Sequence, residues 1–206
     1  MIGKGYKTRL LNPHDEYWDR RLGVHTFGYR PETGSGDKPN WQLHYTPAPY
    51  SSIFYSLQHA GLGRDDVFTD LGSGMGRVVF AASWLGAKQA NGVEILPDLS
   101  ETAEQNRRGS RLSDRPIKFT CANARDVDLS STTVLFIFHS FGADTLAAVL
   151  KNFEKQRGPN ARIVYMNPVF NEVVKSQTWL KRGEIITPPK RLISTTTNWD
   201  VAIWHA

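Results

Sequence analysis

A glycine-rich stretch in the first half of the chain has the residue types and the spacing of a ligand-binding turn. The apolar run 67–69 leads into Asp70, and three glycines follow at alternate positions: Gly72, Gly74 and Gly76. A second apolar run, 78–85, can continue as a helix with one buried side. The order strand, glycine turn, helix points backbone N–H groups and a helix N-terminus at whatever lies above the end of the strand.

The spacing of the glycines argues against a dinucleotide as the ligand. The dinucleotide fingerprint G-x-G-x-x-G places a pyrophosphate on the helix N-terminus. Here the third glycine comes one residue early, and Arg77 stands where that fingerprint requires glycine. The next predicted strand, 90–95, carries Glu94, which follows Gly74 by 20 residues. A carboxylate at the end of the second strand can accept two hydrogen bonds from the cis diol of a ribose.

The sequence of residues 70–76, Asp-Leu-Gly-Ser-Gly-Met-Gly, resembles motif I of the class I S-adenosylmethionine-dependent methyltransferases. The resemblance implies that S-adenosyl-L-methionine is the cofactor and that Asp70 helps to hold its ammonium group. It also implies that Asn123 and Ala124, after the predicted third strand, contact the adenine, although Asn123 is equally an Asx-turn residue by type. The small residues of the loop would pack against the methionine part and the adenosine; they are Gly72, Ser73, Gly74 and Gly76.

Strands that alternate with helices over most of the chain predict an α/β protein. The resemblance implies a Rossmann-like class I methyltransferase fold, with a mostly parallel seven-stranded sheet and a C-terminal antiparallel hairpin, here predicted between 191–197 and 201–204. Residues 1–44 are polar but rich in aromatic side chains, and they are predicted as a cap or lid on a methyltransferase domain at 45–206. Two prolines before the first helix of that domain would fix Tyr45 and Thr46 near the mouth of the cofactor site.

A near-continuous apolar run, 133–138, predicts a central strand buried on both faces. It ends on His139, where methyltransferases place the substrate-facing motif, and imidazole is a suitable general base near neutral pH. His139 is therefore predicted as a general base that also contacts the cofactor. The alternatives are that it donates a hydrogen bond that positions the acceptor, or that it supports the glycine loop from behind. Tyr165, on the next strand, is a second candidate catalytic residue, and Asp144 is the predicted cap of the intervening helix.

The fourth-strand motif His-Ser-Phe-Gly of residues 139–142 departs from the family pattern. Relatives often carry Asn-Pro-Phe-Gly, and enzymes that methylate amino groups of DNA or glutamine carry an Asp or Asn followed by two prolines. The absence of the leading amide and of the proline argues against a base-flipping site. The whole chain also looks like small bacterial stand-alone methyltransferases, and the glycine loop resembles the Dot1-type histone-lysine methyltransferases, a likeness confined here to that loop.

Composition narrows the remaining classes of protein. The 206 residues are 40% hydrophobic, which suffices for one well-buried domain. A single cysteine, Cys121, excludes an internal disulfide and predicts a reducing cytoplasm. No apolar segment approaches the length of a membrane span, and no metal-ligand spacing predicts a metal. The net charge of +5 is spread out, and its densest part, 107–118, has no interleaved aromatic residues, so nucleic acid is not a predicted partner.

The sequence thus predicts an S-adenosylmethionine-dependent methyltransferase that acts on a small molecule or on a protein side chain. Two alternatives remain open at this point: a catalytically silent domain that binds the cofactor as a sensor or partner subunit, and, with less support, an RNA methyltransferase. The acceptor atom and the oligomeric state are not predicted.

Overall fold

The computed structural model describes residues 13–28, 45–189 and 199–206. Within these residues the chain forms seven strands: β1 (Val67–Leu71), β2 (Gln89–Glu94), β3 (Ile117–Cys121), β4 (Val134–Phe138), β5 (Arg162–Met166), β6 (Arg182–Ile186) and β7 (Val201–His205). The helices are α1 (Pro13–Leu22), α2 (Tyr50–His59), α3 (Arg77–Trp84), α4 (Pro97–Gly109), α5 (Ala143–Gln156) and α6 (Asn171–Lys175). No helix in the described part of the chain is both long and apolar enough to cross a bilayer.

All seven strands form one sheet in the order β3-β2-β1-β4-β5-β7-β6. The strands β1 to β5 are parallel, and β7 is antiparallel to both β5 and β6. The chain runs from β1 outward to β3, then returns to place β4 on the other side of β1. This reversal opens a crevice beyond the carboxyl ends of β1 and β4, which is where ligands bind in open α/β sheets.

A hydrophobic core lies on each face of the sheet. On one face α2 and α3 pack against β1 and β4 through side chains such as Ile53, Phe80 and Phe136, all 0% exposed. On the other face α5 buries Val149 and Phe153. The central strands are covered on both sides, which explains their near-continuous apolar sequences.

The C-terminal antiparallel pair is present, but its first strand is not the predicted one. Strand β7 is flanked by β5 and by β6 at Arg182–Ile186, so both of its edges are taken. The run 191–197 lies outside the described residues. The prediction missed β6 because β6 is an edge strand and most of its side chains are exposed, which removes the alternation of buried residues that marks a strand.

The cap of α5 was also predicted wrongly. The N-cap is Gly142, whose backbone is extended and whose carbonyl accepts the N–H of Leu146 at 3.0 Å. Asp144 lies in the first turn instead, where its charge still complements the helix dipole.

The described part of the N-terminal region packs tightly on the sheet domain. In α1, Leu22 is fully buried, and the Trp18 ring lies 4.5 Å from that of Phe54 in α2. The segment after α1, residues 24–28, continues beside α4, and the Leu22 carbonyl accepts the N–H of Arg111 at 2.8 Å. The rest of the predicted cap, at 1–12 and 29–44, lies outside the described residues.

Candidate active site

A cavity of about 510 Å³ lies in the crevice beyond the carboxyl ends of the parallel strands. Its walls come from the ends of β1 to β5 and from the segment just before α2. The structure brings together, on the lining of this cavity, most of the residues that the sequence singles out: Tyr45, Thr46, Asp70, Gly72, Ser73, Glu94, Asn123, Ala124 and His139. Gly74 and Gly76 belong to the turn below the lining, and Tyr165 lies elsewhere.

The glycine turn needs glycine both for its backbone conformation and for close packing. Gly72 and Gly74 have φ values of 83° and 53°, in the left-handed region. A Cβ on Gly72 would overlap the side chain of Ser140, and one on Gly74 would overlap the ring of Tyr45. The turn is therefore pressed between the motif that follows β4 and the segment before α2.

Glu94 at the end of β2 is a structural part of the same turn. The Gly74 N–H donates to its Oε2 at 2.8 Å, and the Leu96 N–H donates to its Oε1 at 2.9 Å. Burial raises the pKa of the Glu94 carboxyl, and these backbone hydrogen bonds partly offset that rise. Each carboxylate oxygen keeps an acceptor position, which a pair of ligand hydroxyls can use.

Asp70 at the end of β1 is a buried acid on the wall of the cavity. It is 2% exposed. Burial, and after it the charge of Glu94, raise the pKa of Asp70 well above its usual range. No cation of the described residues counters that rise, so a positive charge placed beside the carboxyl would lower its pKa.

The third-strand end supplies a mixed polar and apolar wall. Asn123 adopts the Asx turn that its residue type allows, and its Oδ1 accepts the N–H of Arg125 at 3.0 Å. Ala124 is 6% exposed and offers a small apolar surface. The buried Ser73 hydroxyl has no hydrogen-bond partner among the described residues.

The ends of β4 and β5 place two side chains next to each other on the far wall. His139 and Asn167 follow the paired residues Phe138 and Met166, and both have left-handed backbones, with φ of 42° and 52°. Burial lowers the pKa of His139, so its imidazole is uncharged near neutral pH. Its buried Nδ1 has no hydrogen-bond partner in the described part of the chain.

Tyr165 does not reach this wall, contrary to the sequence-based prediction. It is 1% exposed and packs in the core on the α5 side of the sheet, where its hydroxyl accepts the N–H of Phe170 at 3.4 Å. Strand parity explains the difference, because alternate residues of β5 point to opposite faces. The aromatic side chains on the wall are instead Phe138, Phe141 and Trp199.

Sequence reasoning missed a buried ionic cluster around Arg77, the first residue of α3. Arg77 is 3% exposed, and its Nη1 donates to Asp15 Oδ2 at 3.3 Å and to the Ala48 carbonyl at 3.1 Å. Its Nη2 lies 3.8 Å from Asp19 Oδ2. The sequence signal was the i, i+4, i+7 spacing of Asp15, Asp19 and Leu22, which puts two acids on the buried face of an amphipathic helix.

With this geometry in hand, comparison with known proteins decides the family. The family described as "Histone methylation protein DOT1" matches residues 45–173, more than half of the chain. The chain belongs to the DOT1 family. The likeness, which the sequence had indicated only for the glycine loop, thus extends from the segment before α2 to α6.

A relative found by sequence comparison agrees with this family. A protein-lysine N-methyltransferase of Saccharolobus islandicus (strain REY15A) is 30% identical over 121 residues, which cover 58% of this chain and 73% of the relative. The family match and this relative together identify the chain as a methyltransferase that depends on S-adenosylmethionine.

Solved structures confirm the fold. An RNA methyltransferase from Salinibacter ruber, in complex with S-adenosyl-L-homocysteine, superposes with a TM-score of 0.58 at 22% identity, over 78% of this chain and 93% of that one. SMU.1697c of Streptococcus mutans, a putative methyltransferase in complex with SAH, gives 0.57 at 12% identity, over 79% and 100%. The DOT1-family chain thus has the Rossmann-like methyltransferase fold that its sequence predicts.

Proposed function

We propose that this protein transfers a methyl group from S-adenosylmethionine to the Nζ atom of a lysine in a protein substrate. Two findings support the proposal. The relative that is 30% identical is a protein-lysine N-methyltransferase. The acceptor end of the cavity, defined by Phe138, His139, Phe141, Asn167 and Trp199, is an aromatic slot beside an uncharged imidazole.

The other end of the cavity fits the cofactor. A buried Asp70 without a protein cation suits an ammonium group, the paired acceptors of Glu94 suit ribose hydroxyls, and the wall of Asn123 and Ala124 suits an adenine. The unpartnered Ser73 hydroxyl adds a donor. When bound, S-adenosylmethionine supplies an electrophilic methyl group on a sulfonium, and the protein orients the groups around it.

The acceptor end carries the proposal because its chemistry matches an alkyl ammonium. The rings of Phe138 and Trp199 pack edge to face, with centroids 4.8 Å apart, and together they offer an apolar surface for a flexible alkyl chain. Aromatic faces also attract a cationic head group. Among the described residues of the lining, the carboxylates are Asp70 and Glu94, both at the cofactor end. A lysine that enters here meets no acid that would hold it in the charged form.

His139 is the proposed proton acceptor. A lysine arrives as an ammonium and becomes nucleophilic only after it loses a proton. The imidazole lines the acceptor end of the cavity and has a lowered pKa, so it is available there in the uncharged form that takes a proton. Asn167, beside it at the end of β5, can orient the amine through its side-chain amide.

The test is a methylation assay with three acceptors: a lysine-rich protein, the same protein with its lysines blocked by acetylation, and RNA. The expected result is methyl transfer to the unmodified protein alone, at lysine Nζ, as mapped by mass spectrometry. His139→Ala should abolish most of the transfer, whereas His59→Ala, an exposed histidine on α2, should leave it intact.

Other outcomes would overturn the proposal in distinct ways. Transfer to RNA would move the acceptor class to nucleic acid. Equal methylation of blocked and unblocked protein would exclude lysine. Binding of S-adenosylhomocysteine without transfer to any protein would favour a silent cofactor-binding domain.

The exposed free thiol of Cys121 supports a reducing cytoplasm as the compartment, which localisation of the tagged protein would test.

A further inference from the structure

Residues 24–28, the segment after α1, lie between the glycine turn and α4. Asn106 of α4 joins the two: its Oδ1 accepts the His25 N–H at 2.8 Å, and its Nδ2 donates to the carbonyls of His25 at 2.9 Å and Met75 at 3.1 Å. Met75 is in the turn, and a Cβ on Gly28 would lie 2.9 Å from its Cε. The segment is therefore packed directly on the turn that lines the cofactor site.

Thr26 is the centre of this contact, and every polar atom it has is used. Its N–H donates to Asp19 Oδ2 at 2.9 Å, and its hydroxyl donates to Asp19 Oδ1 at 2.6 Å. Its Oγ1 accepts from Arg77 Nε at 2.8 Å, and its carbonyl accepts from the Tyr45 hydroxyl at 2.8 Å. The residue is 0% exposed, so losing any of these bonds leaves a buried polar group unpaired.

Two of these partners connect Thr26 to the wall of the cavity. Arg77 and Tyr45 both line it, although Thr26 itself does not. The Tyr45 ring rests on Gly74, and the Tyr45 hydroxyl points away from the cavity to the Thr26 carbonyl. Arg77 is the first residue of α3, directly after the glycine turn. A shift of Thr26 would thus move the wall of the site and the turn together.

We propose that Thr26 is a positioning residue for the cofactor: through Arg77 and Tyr45 it holds the glycine turn in the conformation that binds S-adenosylmethionine. The segment 24–28 lies before residues 45–173, the range that the family model matches. The inference concerns cofactor binding and is independent of the acceptor. It can hold even where the lysine assignment fails.

The test compares two Thr→Val variants that each delete one buried hydroxyl. Thr26→Val removes the two bonds of the hydroxyl, to Asp19 Oδ1 and from Arg77 Nε, and keeps the backbone bonds to Asp19 Oδ2 and Tyr45. Thr132→Val is the matched control, since its 2%-exposed hydroxyl bonds to Thr69 at 2.8 Å and does not line the cavity. We expect Thr26→Val to raise the Kd for S-adenosylhomocysteine and the KM for S-adenosylmethionine about tenfold, with kcat within about twofold. Thr132→Val should lower only the melting temperature, and Thr26→Ser should restore the affinity.

A second measurement uses the unaltered protein and does not depend on how the variants fold. Because the amides of His25 and Thr26 donate to Asn106 and Asp19, S-adenosylhomocysteine should slow their hydrogen exchange, while β7 is unaffected. Equal exchange with and without the ligand would overturn the proposal. So would a Thr26→Val variant that loses melting temperature as Thr132→Val does but keeps full affinity, which would reduce Thr26 to a structural role.

Discussion

The buried carboxyl of Asp70 predicts that cofactor binding is linked to the release of a proton. In the free protein, burial and the neighbouring charge of Glu94 raise the pKa of Asp70 well above its usual range. A ligand ammonium beside it favours the carboxylate and lowers that pKa. At a pH below the raised pKa, binding therefore expels one proton, and affinity rises as the pH rises.

The pH dependence of the Kd is limited by the number of protons that Asp70 can release. One carboxyl releases at most one proton, so the Kd for S-adenosylhomocysteine should fall by up to about tenfold per pH unit while Asp70 is protonated in the free protein. The stability of the free protein has the opposite sign. Because its pKa is raised in the folded state, the contribution of Asp70 to stability is fully present below its unfolded-state pKa and is lost as the pH rises through the folded-state pKa.

Isothermal titration in buffers of different ionisation enthalpy measures both the Kd and the proton release. Asp70→Asn mimics the protonated acid: it should bind S-adenosylhomocysteine more weakly, with a flat pH dependence and no proton release. It should also melt at a higher temperature than the parent protein at alkaline pH. A parent protein that releases no proton, or an Asp70→Asn variant that binds as the parent does, would refute the reasoning.

Three further predictions concern the rest of the site. Glu94→Ala should weaken S-adenosylhomocysteine binding by more than about tenfold, because it removes acceptors for a diol and frees the Gly74 N–H. His139→Ala should lower kcat by about 100-fold and leave that Kd within about threefold; kcat of the parent should fall only below the usual titration range of histidine, since burial lowers the pKa. Arg77→Met should reduce the free energy of unfolding by about 3–5 kcal/mol in a urea titration, because Asp15 and Asp19 stay buried but lose the guanidinium that lies between them.

The predictions for Glu94 and Arg77 have a control of the same residue type, and His59→Ala is the control for His139→Ala. Glu104→Ala, on the surface of α4, should not change ligand affinity, and Arg108→Met, which is in an exposed ion pair, should change the unfolding free energy by less than about 0.5 kcal/mol. Unchanged affinity in Glu94→Ala would contradict the ribose assignment. Equal losses of kcat and affinity in His139→Ala would place that residue in the cofactor site.

The sequence was most informative where one strand determines the environment of its own residues. Strands β2 and β4 fall within one residue of the predicted strands 90–95 and 133–138, and Asp70 and Glu94 were recognisable because each lies near the carboxyl end of a predicted strand. The sequence did not show to which face of the sheet each side chain points. In β5 both faces are buried, so the sequence shows no alternation that would have placed Tyr165 on the α5 side.

Long-range polar contacts were beyond sequence reasoning for a different reason. Arg77 lies 62 residues from Asp15 along the chain. No pattern in the sequence around either residue indicates that contact. From the sequence, Arg77 served only as evidence against a pyrophosphate. In the structure the same arginine connects α1 to the start of α3 through Asp15 and Asp19. The residue that departs from the dinucleotide pattern therefore has a structural role of its own.

A last prediction follows from the backbone of His139. Its φ of 42° lies in the left-handed region, which is unfavourable for a residue with a Cβ by about 1–2 kcal/mol. Glycine is ordinarily less stabilising than alanine by about 0.5–1 kcal/mol, because it has more freedom in the unfolded chain. At this position the first effect exceeds the second, so His139→Gly should unfold at a higher urea concentration than His139→Ala.

Both variants lack the imidazole, so the comparison isolates the backbone from the loss of the proposed base. At Lys151, exposed in the interior of α5, the order should be the usual one, with alanine more stable than glycine. An alanine variant that is the more stable at position 139 as well would show that the left-handed turn is not held in solution. If the order inverts, the chain keeps a histidine where glycine would be more stable, and such retained strain is characteristic of a side chain whose position serves the reaction.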